Sequence, residues 1–430
     1  MSKSPISSQA GSIALLKFME KIKFCHHLAN TNTNEGPTVR TSLAEAIKMV
    51  TIGIVAGAKS LLNVVAVWND RVLAEIAGLN AIIDDSTLGR IFKRGNIQTI
   101  TDMEAFPLLM ARDICESFVS PVIMQSQQQK EKLIDIDGSA HTSFGYQEGS
   151  VKGYNPHKKG ANCFQSLLAF DTLTKTVMMG WWRSGNTHCA NGVVEFVKQL
   201  HSLSPKQQKF FRFDSGFYCG DLMEELERMK SGYLIKAKIS GLHKIFKDLK
   251  WKDVNGGKDS KGWQESTFYH ACQGWNKNRK YFVVRKKIDE IEDSQSLFPE
   301  FIIDKYVYFC YLCTREMSPW EVHKFYGARA VCENYIEELK NQMALGKIRS
   351  RDFNATSLLF HCSILAYNLV RWMTICLANK RIFKWEMNTI RCFLIRVAAK
   401  ISNRSRRISI FMDRKHFYQE ELDAWMSFCT

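Results

Sequence analysis

The stretch LIDIDGSAHT, residues 133–142, marks the point where the pattern of this chain changes. Upstream, from Ser42 to about Met124, apolar residues recur at helical spacing, as in SLAEAIKMV and NDRVLAEIAGL. From Leu133 onward, short apolar runs bounded by glycine and polar residues take over, which is the mark of buried strands. Working outward, CFQSLLAFDTLTKTVMMGWWRSG (163–185) is expected to be a hairpin turning around Thr172–Lys175. CANGVVEFVKQLHSL (189–203) reads as an amphipathic helix and KFFRFDSGF (209–217) as a strand. GDLMEELERMK (220–230) then reads as a helix and YLIKAKIS (233–240) as a strand. Asp137 falls on the first of these strands and Asp214 ends the fourth.

The order βββαβαβ is three antiparallel strands followed by parallel crossovers, the order of a ribonuclease H-like sheet. The fold class expected is therefore α+β, a ribonuclease H-like domain with a mixed sheet and helices. Residues 241–305 interrupt it. They are Lys-rich with interleaved aromatics (Trp251, Trp263, Phe268, Tyr269, Trp275, Tyr281, Phe282), and NGGKDSKG (255–262) is a turn between alternating flanks, so a β-rich insertion is expected. The parsing is a flexible arm (1–40), a helical DNA-binding region (41–128), the catalytic domain in two parts (129–240 and 306–378) around the insertion, and a basic helical tail (379–430). Within 306–378, YVYFCYLCT (306–314) resumes as a strand and SLLFHCSILAYNLVRWMTICL (357–377) is an apolar packing helix.

Ser318 and Pro319 begin a long helix containing FYGARAVCENYIEELK (325–340). Its steps of three, four and seven residues put Tyr326, Arg329, Glu333 and Lys340 on one helix face. Acids from two strands and a helix, beside cations on that helix, suit a divalent-metal site meeting a phosphate backbone. The blander reading makes Asp137 and Asp214 ordinary strand carboxylates. Glu333 would then only pair with Arg329 at i,i+4, a surface contact worth about 0.3–0.5 kcal/mol, with Glu337 one turn on as a spare acid.

Composition agrees with a polyanionic partner. The 430 residues carry 59 Lys and Arg against 43 Asp and Glu, a formal charge of +16, which points to nucleic acid before acidic lipid. With 45% hydrophobic residues there is ample material for a core. The 13 cysteines are scattered and odd in number, and the N-terminus lacks a signal-peptide layout, so a reducing cytoplasm is expected. Met49–Trp68 is apolar, but Lys59 sits in its middle, where a charge costs about 2.5–3.5 kcal/mol on insertion scales, so no membrane span is expected. In the helical region Asp85 is read as capping a helix in which Arg90, Lys93 and Arg94 share a face, either a helix-turn-helix reader or a solvated surface. Arg391, Arg396, Lys400, Arg404, Arg406 and Arg407 make the tail a backbone-contacting patch or another solvated face. Cys310 and Cys313 lie in an apolar run and read as core; Cys25–His26–His27 lacks a fourth ligand.

These blocks together resemble the DDE-type insertion-sequence transposases, in the branch marked by Y-x2-R-x3-E-x6-K. FYGARAVCENYIEELK meets that spacing at every position, and IDIDGSAHTSFGYQEGSVKGYNPHKKG looks like the first-aspartate block. LLAFDTLTKTVMMGWWRSGN resembles the segment after it, including Arg183, Gly185 and Asn186, and FRFDSGFY resembles the second-aspartate block. The resemblance runs from about Lys132 to Asn368. It implies Asp137, Asp214 and Glu333 as catalytic acids and metal ligands for two Mg²⁺ or Mn²⁺ ions, with Asp135 as runner-up for the first acid because it shares a strand face with Asp137. Tyr326, Arg329 and Lys340 are implied as contacts to DNA phosphates. The implied activity is water release of a 3′-OH at an element end, then attack of that 3′-OH on target DNA, by a cut-and-paste enzyme. The implied partners are double-stranded DNA with terminal inverted repeats and a second copy in a homodimeric synaptic complex. The implied location is nucleoid-associated, in a prokaryotic cytoplasm. In some relatives an insertion-domain aromatic stacks on a flipped base, for which Trp263 or Trp275 would serve. Two rivals stand beside this reading: a domesticated, non-catalytic DNA-binding descendant, and another ribonuclease H-like nuclease such as a resolvase.

Overall fold

The computed structural model describes all residues except 1–5, 32–34, 36–38, 80–82, 157, 189, 256, 289–301, 405–406, 413–414 and 430. In chain order the elements that matter are α1 (Leu43–Val55), α2 (Asp85–Phe92), α3 (Ile97–Ser117), β1 (Glu131–Thr142), β2 (Asn162–Asp171), β3 (Val177–Ser184), α4 (Val193–Leu203) and β4 (Gln208–Phe213). They continue with α5 (Gly220–Arg228), β5 (Gly232–Lys236), β6 (Trp263–His270), β7 (Arg279–Lys287), β8 (Tyr306–Cys313), α6 (Pro319–Gly327), α7 (Ala330–Glu337) and α8 (Phe353–Cys376). A hairpin, β9 (Ala399–Arg404) and β10 (Arg407–Phe411), precedes the last helix. Two compact units result. One comprises residues 1–129, 139–187 and 334–430, the other residues 130–138 and 188–333.

The second unit is a sheet in the order β1–β4–β5–β8–β7–β6. β1 and β4 pair in parallel, as do β4 and β5, so both crossovers expected from the sequence are present. β8 returns antiparallel beside β5, and β7 and β6 follow antiparallel beyond it. The insertion therefore does not stand apart: its described strands extend the same sheet outward through main-chain pairing. Phe210, Leu234, Phe282, Tyr311 and Val322 form one of its buried clusters.

In the first unit β2 and β3 form the expected antiparallel hairpin, with a register shift between Ala169 and Phe170. The end of β1 lies beside β2, where a His141 ring nitrogen meets Ser166 Oγ at 2.9 Å. α8 packs against α1, α3 and β3. It is the one described helix long and apolar enough to cross a membrane, and its apolar window is fully buried. Inside it, Asn368 accepts from Val177 N at 2.9 Å and donates to Val177 O at 2.7 Å, so a side-chain amide completes the backbone pairing of β3. The Met49–Trp68 run is broken into α1 and a second helix, Leu61–Trp68, with a turn over Ala56–Ser60 between them.

Two parsed regions differ from expectation. The segment read as an arm contains helix Ala10–Lys21, whose Ile13, Leu15 and Phe18 are buried. The tail is not wholly helical: β9 pairs with Ile6–Ser7 on one side and with β10 on the other in a three-stranded sheet. The polar composition around residues 30–38 hid the first, and the Arg-rich run from 391 hid the second.

Candidate functional site

Asp137 sits on β1 between Ile136 and Gly138, and its Oδ1 accepts from Gly138 N at 2.8 Å. Asp214 follows β4 directly and caps the short turn Ser215–Phe217, accepting from Gly216 N at 2.9 Å. Glu333 lies in the first turn of α7 and is exposed. All three belong to the second unit. Burial pushes the Asp137 carboxyl up to about 6. Arg329 pulls it down, while the charges of Asp214 and Glu333 push it further up.

Arg329 is the counter-ion of Asp137. It is buried, its Nη2 stands 3.1 Å from Asp137 Oδ1, and the same nitrogen donates to Ile136 O at 3.1 Å. Burial alone would lower its pKa, but Asp137, Tyr326 and Asp214 outweigh that and hold it charged. Its Nε is buried with no acceptor among the described residues.

The motif does not run along one continuous helix. α6 ends at Gly327 and α7 begins at Ala330, with Ala328 and Arg329 in the turn between. There Arg329 N donates to Tyr326 O and Cys332 N donates to Arg329 O, both at 2.8 Å, the tight i→i+3 pattern. From this turn Arg329 reaches Ile136 O and Asp137. Tyr326, on α6, is half-buried with its ring 5.0 Å from that of Tyr311. Burial raises the pKa of its hydroxyl, and Asp214, Asp137 and Glu333 raise it further against Arg329. Lys340 lies in a π-helical turn, Glu338–Gln342, in the first unit, and donates to Ser139 Oγ at 3.1 Å and Ala140 O at 3.2 Å. Asp137, Asp214, Glu333, Tyr326 and Arg329 thus belong to one unit, where Arg329 pairs directly with Asp137, and Lys340 belongs to the other unit with its partners Ser139 and Ala140.

Asp135, the alternative first acid, is already committed. Arg212 Nε and Nη2 donate to its two carboxylate oxygens at 2.6 and 2.8 Å, with both side chains buried, and Arg212 Nη1 donates to Phe325 O at 2.7 Å. Burial pushes Asp135 up, and the Arg212 fork pulls it back. Arg212 is the residue the sequence reading missed. Its signal was present in FRFD: it lies two residues before Asp214, and in a parallel pairing of β1 and β4 it stands opposite Asp135.

The other candidates resolve as follows. The cap of α2 is Asp84, not Asp85, accepting from Thr87 N at 2.7 Å. Arg90 and Lys93 are exposed there, whereas Arg94 is paired with Glu35 at 3.1 Å. Arg391 is not a surface cation: it is buried and donates to Val55 O at 2.7 Å, and Arg396 donates to Ala56 O at 2.9 Å. Lys400 is exposed, the side chains of Arg404 and Arg407 are not described, and Arg406 lies outside the described residues. Trp263 packs with Trp320 and His323, and Trp275 with Tyr218 and Arg279. Cys310 and Cys313 are buried core residues, as read. His27 pairs with Asp113 at 2.8 Å. Gly185 has a steric role, since a Cβ there would meet Cys163 O at 2.1 Å and Val151 O at 2.4 Å.

Among the described residues, no three His, Cys, Asp or Glu side chains stand close enough to hold one ion. The donor chemistry of Asp137, Asp214 and Glu333 nevertheless fits a hard divalent cation, because all three offer carboxylate oxygens and their charges oppose one another at Asp137.

Comparison with known proteins adds the family. A family model described as transposase DDE domain group 1 matches residues 4–428. Among solved structures, the piggyBac transposase synaptic complex with hairpin DNA superposes with a TM-score of 0.46 at 11% identity, covering 89% of this chain and 78% of that chain. No curated protein matches the sequence significantly. With a match over nearly its whole length, and with its three motif acids gathered in one unit, the chain belongs to the transposase DDE domain group 1 family.

Proposed function

We propose that this chain is a metal-dependent DNA transposase that releases a 3′-OH at an element end and joins it to target DNA. The single observation carrying the reading is the match of residues 4–428 to a transposase DDE domain, on a sheet that pairs the Asp137 strand β1 in parallel with β4, which Asp214 follows. The strand order β3–β2–β1–β4–β5 supports a ribonuclease H-like catalytic fold, with Asp137 on β1 and Asp214 directly after the neighbouring β4.

Asp137, Asp214 and Glu333 would hold Mg²⁺ or Mn²⁺. Two such ions, when bound, activate a water and stabilise the leaving oxygen in an in-line displacement at phosphorus. Arg329 positions the strand: its unpaired Nε is a buried donor suited to a phosphate oxygen, and its Nη2 orients Asp137. Tyr326 carries its hydroxyl, kept protonated, on the same motif as a further donor. Lys340 braces the end of β1 at Ser139 and Ala140, and would reach phosphate only by giving up those bonds. A cut-and-paste pathway, and a dimer holding two element ends, follow from the family resemblance.

The test is metal-dependent cleavage of duplex DNA carrying the ends that flank the gene. Wild type is compared with Asp137→Ala, Asp214→Ala and Glu333→Ala, with binding measured in parallel at one salt concentration. Wild type should cut with Mg²⁺ or Mn²⁺, and each variant should bind but leave the strand intact. Binding by wild type without cutting under either metal would replace the enzyme with a domesticated DNA-binding descendant.

A further inference from the structure

The loop after β1 presents three aromatic side chains to solvent within eleven residues. Phe144 is 84% exposed, Tyr146 fully so and Tyr154 70%. Single exposed aromatics are ordinary on soluble proteins, but a cluster of this size marks a contact surface.

This loop is not a loose excursion. Ser143 N donates to Asn162 O at 2.8 Å, and Asn155 Nδ2 donates to Thr142 Oγ1 at 2.9 Å. Gln165 Nε2 donates to Tyr154 O at 2.7 Å, and Glu148 N donates to Arg351 O at 2.9 Å. Gly149 has a φ of +77°, and a Cβ there would strike the Phe353 ring at 2.5 Å, so the chain is seated against the start of α8. The anchors hold the backbone on both sides of each ring while the rings themselves stay uncovered. Such pre-organisation lowers the ordering cost of binding.

Charge decides what could cover them. Lys152, Lys158 and Lys159 are exposed on the same loop, and Lys158 Nζ lies 5.0 Å from the centre of the Phe144 ring. The single acid between Ser143 and Gly160 is Glu148, and its carboxylate is engaged by Phe353 N at 3.0 Å, capping α8. The surface is thus cationic and aromatic, without a free carboxylate of its own. Interleaved lysines and exposed rings suit a nucleic acid backbone with base faces laid against the rings. In an intact duplex the base faces are hidden by stacking, so rings on a protein surface can reach them only where the strand is unpaired.

We propose that the 143–160 loop is a binding surface for unpaired nucleotides of DNA, with Phe144, Tyr146 and Tyr154 stacking on bases and Lys152, Lys158 and Lys159 holding the backbone. The proposal rests on the DNA-processing reading above and gives that reading a substrate state, an opened or single-stranded segment beside a duplex.

The experiment measures anisotropy of two dye-labelled probes without divalent ions at one salt concentration. One probe is a fully paired duplex and the other is the same duplex with a short unpaired tail. Wild type should bind the tailed probe more tightly. The triple variant Phe144→Ala, Tyr146→Ala, Tyr154→Ala should lose about tenfold or more on the tailed probe, from stacking worth about 1–3 kcal/mol per base, and stay within about twofold on the paired one. The pair Tyr146→Phe, Tyr154→Phe keeps the rings and should keep the tail preference. Melting of all variants is followed by circular dichroism, and an unchanged midpoint confirms that only the surface has altered. Equal loss on both probes, or no loss on either, overturns the proposal. Loss of self-association by light scattering, with unchanged DNA binding, overturns it in favour of a second copy as the occupant. Failure of wild type to bind either probe overturns the DNA reading itself.

Discussion

Asp135 and Asp137 leave one strand two residues apart and meet different arginines. Arg212 takes Asp135 in a buried two-pronged contact, and Arg329 takes Asp137 with one nitrogen while a second stays unpaired. The first pair is saturated and structural; the second is incomplete and sits among other acids. Arg212→Met should therefore destabilise the protein by about 3–5 kcal/mol, because it strands a buried carboxylate. Urea unfolding at neutral pH measures this, and a loss below about 1 kcal/mol would show that the fork contributes little. His323 supplies a second residue-scale test. Burial lowers its pKa to about 4, its Nδ1 meets the Tyr311 hydroxyl at 2.8 Å, and Lys236 adds repulsion. An unfolded histidine titrates near about 6.5, so between that value and about 4 the unfolded state binds more protons than the folded one. Stability should fall as pH drops through this window, by up to about 3 kcal/mol at its lower end. His323→Phe should flatten that part of the stability–pH curve, and an unchanged slope would reject the assignment.

Among the elements, the break between α6 and α7 falls within the Tyr326–Lys340 stripe. A continuous helix would carry Tyr326, Arg329 and Glu333 along one face; from the turn at Ala328–Arg329 the guanidinium reaches Ile136 O and Asp137. The π-helical turn after α7 adds a similar local shift before Lys340. Close backbone approach shapes the other unit. A Cβ on Gly153 would meet Gly185 O at 1.7 Å, and one on Gly185 would meet two further carbonyls. Backbone atoms cannot swing aside as a side chain can. Gly185→Ala should therefore lower stability by about 1–3 kcal/mol or more, seen as a lower urea midpoint with little change in slope.

At the scale of the whole molecule, described segments from both ends of the chain pack against each other in the first unit. Trp425 Nε1 donates to Gly11 O at 3.1 Å, Arg391 reaches Val55 O, and Ile6 pairs with Lys400. The tail is therefore structural rather than a detachable basic module. A chain ending at Ala378 should lose cooperative melting of this unit, and an undiminished transition by circular dichroism would contradict that. On the proposed function, the +16 charge should make duplex binding steeply salt-dependent. With six or more phosphates contacted, affinity should fall about a thousandfold or more between about 50 and 200 mM salt. A flat dependence would remove DNA backbone contact from the account.

Much of this was legible in the residues. Short apolar runs bounded by glycine and polar residues set out the β1–β5 order, because they are local properties of the chain, and the resemblance of the linked motifs to a known family singled out Asp137, Asp214 and Glu333. Local patterns could not show that Arg212 would saturate Asp135, that Arg391 would be buried under α1, or that a turn would split the Tyr326–Lys340 stripe. Each of those depends on which backbone carbonyl or carboxylate comes within about 3 Å of a long cationic side chain once distant segments pack. A charged residue reads as surface in a sequence, and only the tertiary structure decides whether a buried partner has claimed it.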